Sequence, residues 1–193
     1  MYSNILTIPN LLTFIRMALI PVFASLLFYG YSGWGLFVFI IAGVSDGADG
    51  FIARRFKQES ELGTILDPIA DKLLMTVAFV ILTLPNVLQP THHLPVPFWV
   101  TAAVIGRDIL IVTVAGAINI MTGFRGFKPS WLGKLSTIVQ VVAVGLILLA
   151  AVSDYTAYLP TVYTIVVILA AASGFHYIFF VSRLMGEEDE RQS

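Results

Sequence analysis

The chain of 193 residues contains no cysteine. That excludes disulfides, thiolate nucleophiles and cysteine metal ligands. Charge is nearly as scarce: Asp, Glu, Lys and Arg together make up 12% of residues, against about 25% in a soluble domain. A formal net charge of −1 gives no hint of nucleic acid, which demands a basic face. What replaces charge is apolar bulk, at 58% hydrophobic residues and a mean hydropathy of +0.88. These values predict an integral membrane protein. The N-terminal stretch MYSNILTIPN lacks a basic n-region, so its apolar continuation reads as a retained span rather than a signal peptide.

A helix needs about 20 residues to cross the hydrocarbon layer. Six segments have that length: roughly 10–30, 34–55, 64–84, 96–121, 131–152 and 159–182. The connector 85–97 carries four prolines and cannot be helical throughout. The expected fold class is therefore all-α, with six transmembrane helices in one membrane domain over residues 1–186. A polar tail at 187–193 is expected to fray. Lysine and arginine fall on alternate connectors: Arg54, Arg55 and Lys57, then Arg125, Lys128 and Lys134, then Arg183 and Arg191. The positive-inside rule places those connectors and both termini in the cytoplasm. Tyr31, Trp34, Trp99, Tyr155 and Tyr158 lie near the opposite ends, where an aromatic belt belongs.

Against this background the acids between the second and third segments are costly. Asp46 and Asp49 are three apart, and Asp67 and Asp71 are four apart, so each pair shares a helix face. In an antiparallel hairpin turning near residues 56–62, Asp46 lies level with Asp71 and Asp49 with Asp67, about 10–15 Å from the turn. Four ionised carboxylates in a low-dielectric site demand protonation or cations. An all-oxygen set suits Mg²⁺, Mn²⁺ or Ca²⁺, and paired metals suit phosphoryl displacement. A polar helix-packing cluster would need only one or two polar residues, and a divalent-cation pathway leaves Gly50, Ala53, Arg54 and Gly63 unexplained.

The pattern Asp46-x2-Asp49-Gly50-x2-Ala53-Arg54-x8-Gly63-x3-Asp67-x3-Asp71 resembles, at every fixed position, the signature of the CDP-alcohol phosphotransferases. The resemblance implies transfer of a phosphatidyl or similar group from a CDP-linked donor to an alcohol, with release of CMP. It implies that Asp46, Asp49, Asp67 and Asp71 hold two divalent cations, Mg²⁺ or Mn²⁺, with Asp71 as general base. Gly50, Ala53, Arg54 and Gly63 would bind the CDP donor. A homodimer is implied as well. An aspartate-rich prenyltransferase would also grip a diphosphate, but resembles a longer bundle with its acidic motifs on separate helices.

The opening Ile8-Pro9-Asn10-Leu11-Leu12-Thr13-x2-Arg16 resembles family members that make glycerophospholipids. Arg16, two turns into the first segment, either meets an anionic group or snorkels to the interface. Arg107 and Asp108 are adjacent, and adjacent helical residues do not face each other, so Arg107 is expected to meet an anionic ligand or a motif aspartate. Lys134, in Gly133-Lys134-x2-Thr137-x2-Gln140, either snorkels or meets the acceptor's phosphate, as the same pattern suggests in phosphatidylglycerophosphate synthases. That resemblance makes CDP-diacylglycerol the donor and glycerol 3-phosphate the favoured acceptor. Phe127-Lys128-Pro129-Ser130 resembles cardiolipin synthases instead, whose acceptor is phosphatidylglycerol. The implied location is a bacterial cytoplasmic membrane, with the site open to the cytoplasm and lipids as neighbours. His92 and His93 read as a solvated loop far from the acids.

Overall fold

In a computed structural model the backbone is described for residues 8–56, 61–85, 87–88, 93–122 and 131–192. Side chains are described for residues 10–45, 66–85, 87–88, 93–114, 116 and 131–179. The described residues form six α-helices: α1 Ile8–Phe28, α2 Ser32–Phe56, α3 Glu61–Thr83, α4 Phe98–Thr122, α5 Trp131–Ser153 and α6 Leu159–Gln192. Spans within α1, α5 and α6 are long and apolar enough to cross a membrane. The segments expected from apolar length correspond one to one with these helices. One expectation fails: the polar tail is not frayed, because α6 continues as helix through Gln192. Glutamate and arginine are good helix formers, so the run beyond residue 186 can extend a helix already nucleated upstream.

The chain divides into two compact units, residues 1–96 with 144–159 and residues 97–143 with 160–193. In the first, α1 packs against both α2 and α3. Its buried stripe is Asn10, Thr13, Arg16, Ile20, Phe23 and Leu27, a helical three-and-four spacing that is polar in its first half and apolar in its second. Phe23 meets Phe39 of α2 with ring centroids 5.9 Å apart. Near the α1–α2 turn the Leu27 side chain packs over Gly35: a Cβ added there would sit 2.5 Å from Leu27 Cδ2. The turn itself uses Gly30 at a φ of 80°, which glycine adopts without steric cost. On α3 the buried residues Ala70, Leu74, Met75, Ala78, Phe79 and Leu82 complete this core. The proline-rich connector also contributes, through buried Val87, Leu88, Leu94 and Val96. Val96 N–H donates to the Leu82 carbonyl at 2.9 Å, which folds the connector back on α3.

The outer faces carry large apolar side chains, among them Phe14, Val22, Phe37, Ile40, Ile69 and Leu73. Water rarely covers so continuous an apolar surface, whereas lipid does so without cost.

The connector after α5 is held by Tyr158, whose hydroxyl donates to the Leu146 carbonyl at 3.0 Å. Burial, followed by the neighbouring Tyr155, raises the Tyr158 phenol above its ordinary value. A raised folded value means that this stabilisation is complete below about pH 10 and is lost as pH climbs through it. Tyr158→Phe should cost about 1 kcal/mol near neutrality. The gap between wild type and variant should shrink above about pH 10. Thermal unfolding of both proteins across that range checks this, and a constant gap would refute it.

The second unit contains α4, the first half of α5 and α6. Val100, Val104, Ala143, Tyr163, Val166 and Ala170 are buried in it. Its buried polar residues are Thr101, Arg107, Ser136, Gln140 and Ser173.

Candidate functional site

Asp67 and Asp71 lie one turn apart on α3, both half-buried, with fully buried Ala70 between them. This confirms the shared face expected from their spacing. Pro68 follows Asp67 inside the helix. Lacking an N–H, it leaves the carbonyl one turn earlier without its helical donor. Into this region projects the polar half of the α1 stripe. Thr13, completely buried, donates its hydroxyl to Asp67 Oδ1. A hydroxyl so placed fixes one carboxylate oxygen and leaves the other available as an acceptor.

Asn10 and Arg16 flank Thr13 one turn away on either side, at 2% and 0% exposure. Complete burial excludes the snorkelling alternative for Arg16. The sequence flagged this arginine but not Thr13. The signal was present: Asn10, Thr13 and Arg16 are spaced by three on an otherwise apolar helix.

Asp46, Asp49, Gly50, Ala53 and Arg54 lie on α2, and Gly63 lies in the first turns of α3. Their side chains are outside the described residues, as is His92. The level-matching of Asp46 with Asp71 and Asp49 with Asp67 therefore belongs to the functional proposal below. Among the described residues, no three metal-ligating side chains gather.

In the second unit Arg107 is 8% exposed and engages three groups. Its Nε and NH2 donate to Ser173 Oγ at 3.2 and 2.9 Å, and NH2 also donates to the Gly133 carbonyl at 3.2 Å. NH1 pairs with Asp108 Oδ1 at 2.6 Å. The expectation that Arg107 turns from its neighbour is thus corrected. The two Cβ atoms diverge, but the long guanidinium arm folds back far enough to close the pair. Ser173 was not anticipated, because a serine in the small-residue run Ala170-Ala171-Ala172-Ser173-Gly174 carries no distinguishing pattern.

Gly133 is the meeting point of this cluster. Its carbonyl also accepts from Thr137 Oγ1 at 3.1 Å. Lys134 beside it is exposed, while Gln140 Nε2 reaches Ser136 Oγ at 3.4 Å in the buried layer below. A groove of about 300 Å³ runs past Arg107 between α4 and α6, walled by Ala103, Gly106, Ala170 and Gly174.

The family described as CDP-alcohol phosphatidyltransferase matches this chain over residues 6–176, from the start of α1 into α6. The chain belongs to that family. A human protein named cardiolipin synthase (CMP-forming) is 33% identical over 198 aligned residues, covering 93% of this chain and 63% of the relative. The Streptomyces coelicolor protein of the same name is 35% identical, covering 83% and 74% respectively. The Escherichia coli CDP-diacylglycerol–glycerol-3-phosphate 3-phosphatidyltransferase is 37% identical, covering 73% and 76%. The chain spans just under two thirds of the length of the human and rat relatives.

Thr13→Val keeps the shape of the side chain and removes the donor to Asp67. If Asp67 is a metal ligand, as proposed below, loss of this outer hydrogen bond should cost about 10–100-fold in metal affinity or activity. CMP release at graded Mg²⁺ should shift to higher metal concentration in the variant; an unchanged metal dependence would remove Thr13 from the site.

Proposed function

We propose that this chain transfers the phosphatidyl group of CDP-diacylglycerol to a glycerol-type acceptor, releasing CMP. The observation that carries this reading is the family match along residues 6–176, together with Asp67 and Asp71 on one half-buried face of α3. In the reaction the acceptor hydroxyl oxygen bonds to the phosphorus that bears diacylglycerol. The bond from that phosphorus to the oxygen bridging to CMP breaks, and CMP departs with the electron pair. The hydroxyl proton passes to the Asp71 carboxylate.

Asp46, Asp49, Asp67 and Asp71 would hold two divalent cations, Mg²⁺ or Mn²⁺. The hard oxygen donors and half-burial of Asp67 and Asp71 suit such ions. When bound, they would neutralise charge on the donor's diphosphate. Gly50, Ala53 and Gly63 leave room for the cytidine, and Arg54 meets phosphate. Thr13 holds Asp67 in orientation. Arg16, Arg107 and Lys134 serve acceptor or phosphate binding, with Arg107 tying Gly133, and hence the backbone beside Lys134, to α6.

The same reading makes all six helices spans of one membrane domain, with both termini in the cytoplasm of a bacterial-type cell and the acids facing it. The charge asymmetry of the connectors and the apolar outer faces support it. A homodimer belongs to the reading too. An added Cβ at Gly43 would meet nothing within 4 Å, which leaves α2 room for close approach by a second copy.

Glycerol 3-phosphate is the acceptor under the first form of this reading, as in the name of the E. coli relative. Phosphatidylglycerol is the second, favoured by the cardiolipin-synthase relatives and by the Phe127–Ser130 run. The test is CMP release from CDP-diacylglycerol by the purified chain, with each acceptor in turn. Release with one acceptor assigns it. Absence of release with both, in Mg²⁺ and in Mn²⁺, sinks the reading.

A further inference from the structure

A cavity of about 360 Å³ opens in the first unit at the end of α1 and the start of α2, the opposite end of α1 from Thr13 and Asp67. Tyr31, Trp34 and Asp154 line it, together with Ala151 and Val152 from the last turn of α5. Three features of these walls attract positive charge. The carbonyls of the last helical turn have no helical donors and form the negative end of α5. The exposed rings of Tyr31 and Trp34 offer electron-rich faces. Asp154 supplies a carboxylate, and among the described residues it has neither ion pair nor hydrogen bond.

Among the described residues no lysine or arginine pairs with that carboxylate. There is no lysine or arginine between residues 17 and 53 or between 135 and 182. The lysines and arginines of the first unit are Arg16, Arg54, Arg55, Lys57 and Lys72, none of them in the stretches that line the cavity. A divalent ion would need six or more oxygen ligands, which one carboxylate and a helix end do not provide. An ammonium group needs less: a carboxylate and aromatic faces are the usual means of holding one.

We propose that this cavity binds the ammonium of a zwitterionic lipid headgroup, that of phosphatidylethanolamine or phosphatidylcholine. The choice of a lipid rests on the membrane-spanning reading above, which puts Tyr31 and Trp34 at headgroup level. The site is separate from the acids of α2 and α3 and takes no part in phosphatidyl transfer.

Trp34 is the probe, in a full-length background carrying Trp99→Phe and Trp131→Phe, both at exposed positions. The protein is placed in nanodiscs of phosphatidylglycerol alone, or of phosphatidylglycerol with increasing phosphatidylethanolamine or phosphatidylcholine. Trp34 emission should change with either zwitterionic lipid and saturate. In Asp154→Asn the half-saturating lipid fraction should rise about fivefold, the scale of one exposed cation contact. Asparagine tolerates the left-handed backbone that Asp154 adopts at a φ of 57°, so the variant removes charge without straining the turn. Its unfolding midpoint, matched to the parent, confirms the fold. Emission indifferent to lipid composition, or an unaltered response in Asp154→Asn, overturns the site. Equal saturation by soluble phosphocholine overturns the lipid assignment in favour of a free ammonium solute. CMP release, read separately in the same samples, should be unchanged in Asp154→Asn and tests the transferase reading independently.

Discussion

Asp71→Asn should lower CMP release by about 10²–10⁴-fold, the range attributed to a positioned acid or base, while the variant still binds the CDP donor. Asparagine keeps the size of the side chain and one oxygen, so the half-buried face of α3 is preserved. Under the proposed roles, what it loses is the ability to take the acceptor's proton and one negative charge of the four motif carboxylates. Those two losses separate by experiment. If Asp71 acts on the acceptor, donor affinity measured by equilibrium binding changes little and turnover collapses. If it acts only through metal, both fall together and excess Mn²⁺ restores part of each. Normal turnover would remove Asp71 from the chemistry altogether. Asp67→Asn should differ in kind: Asp67 also accepts the Thr13 hydroxyl, so its replacement disturbs the α1–α3 contact as well.

Arg107→Ala should be the most destabilising single change among the described residues. Truncation removes the guanidinium from Asp108, whose side chain is 16% exposed, takes the Arg107 donors from Ser173, and leaves the Gly133 carbonyl with Thr137 but without Arg107. Removing one partner of a buried pair typically costs about 3–5 kcal/mol. Here the loss is shared among α4, the start of α5 and α6, so the second unit should loosen as a whole. The check is thermal unfolding in detergent alongside the double variant Arg107→Ala/Asp108→Ala. If the penalty is the lost counter-charge beside the Asp108 carboxylate, the double variant recovers much of it. If Ser173 and Gly133 dominate, recovery is slight. A single variant as stable as wild type would show that the network contributes nothing net. Arg107→Lys does not substitute, because one ammonium lacks the planar fork that reaches Ser173, Gly133 and Asp108 at once.

The six helices were legible because membrane-length apolar runs leave few alternatives: each run must satisfy its own backbone. The shared face of Asp67 and Asp71 was legible for the same reason, since spacing on a helix fixes direction. Thr13 was harder. A threonine in an apolar helix can satisfy its hydroxyl on its own backbone, as Thr83 does with the Phe79 carbonyl at 2.8 Å. Nothing in the local sequence separates the two cases; the α1–α3 packing does. The Arg107–Asp108 pair was misjudged because spacing rules describe Cβ directions, and a long flexible side chain escapes them. The described residues of the proline-rich connector lie outside any helix, as its four prolines require of at least part of it. Burial of its Val87, Leu88, Leu94 and Val96 depends on the Val96–Leu82 hydrogen bond folding it inward, which is a tertiary fact.

The complete burial of Arg16 has a bearing on biogenesis. Its cover comes from packing of α1 on α2 and α3, yet α3 does not end until Thr83, 67 residues later in the chain. At synthesis rates of about 5–20 residues per second, that is a delay of roughly 3–13 s. An uncovered arginine at the middle of a nascent span costs on the order of 3 kcal/mol to insert. The first helix is therefore poorly suited to commit to lipid alone. Under the six-span reading proposed above, it is best retained at the insertion machinery or the interface until its two neighbours emerge, so that the three helices enter the bilayer as a set.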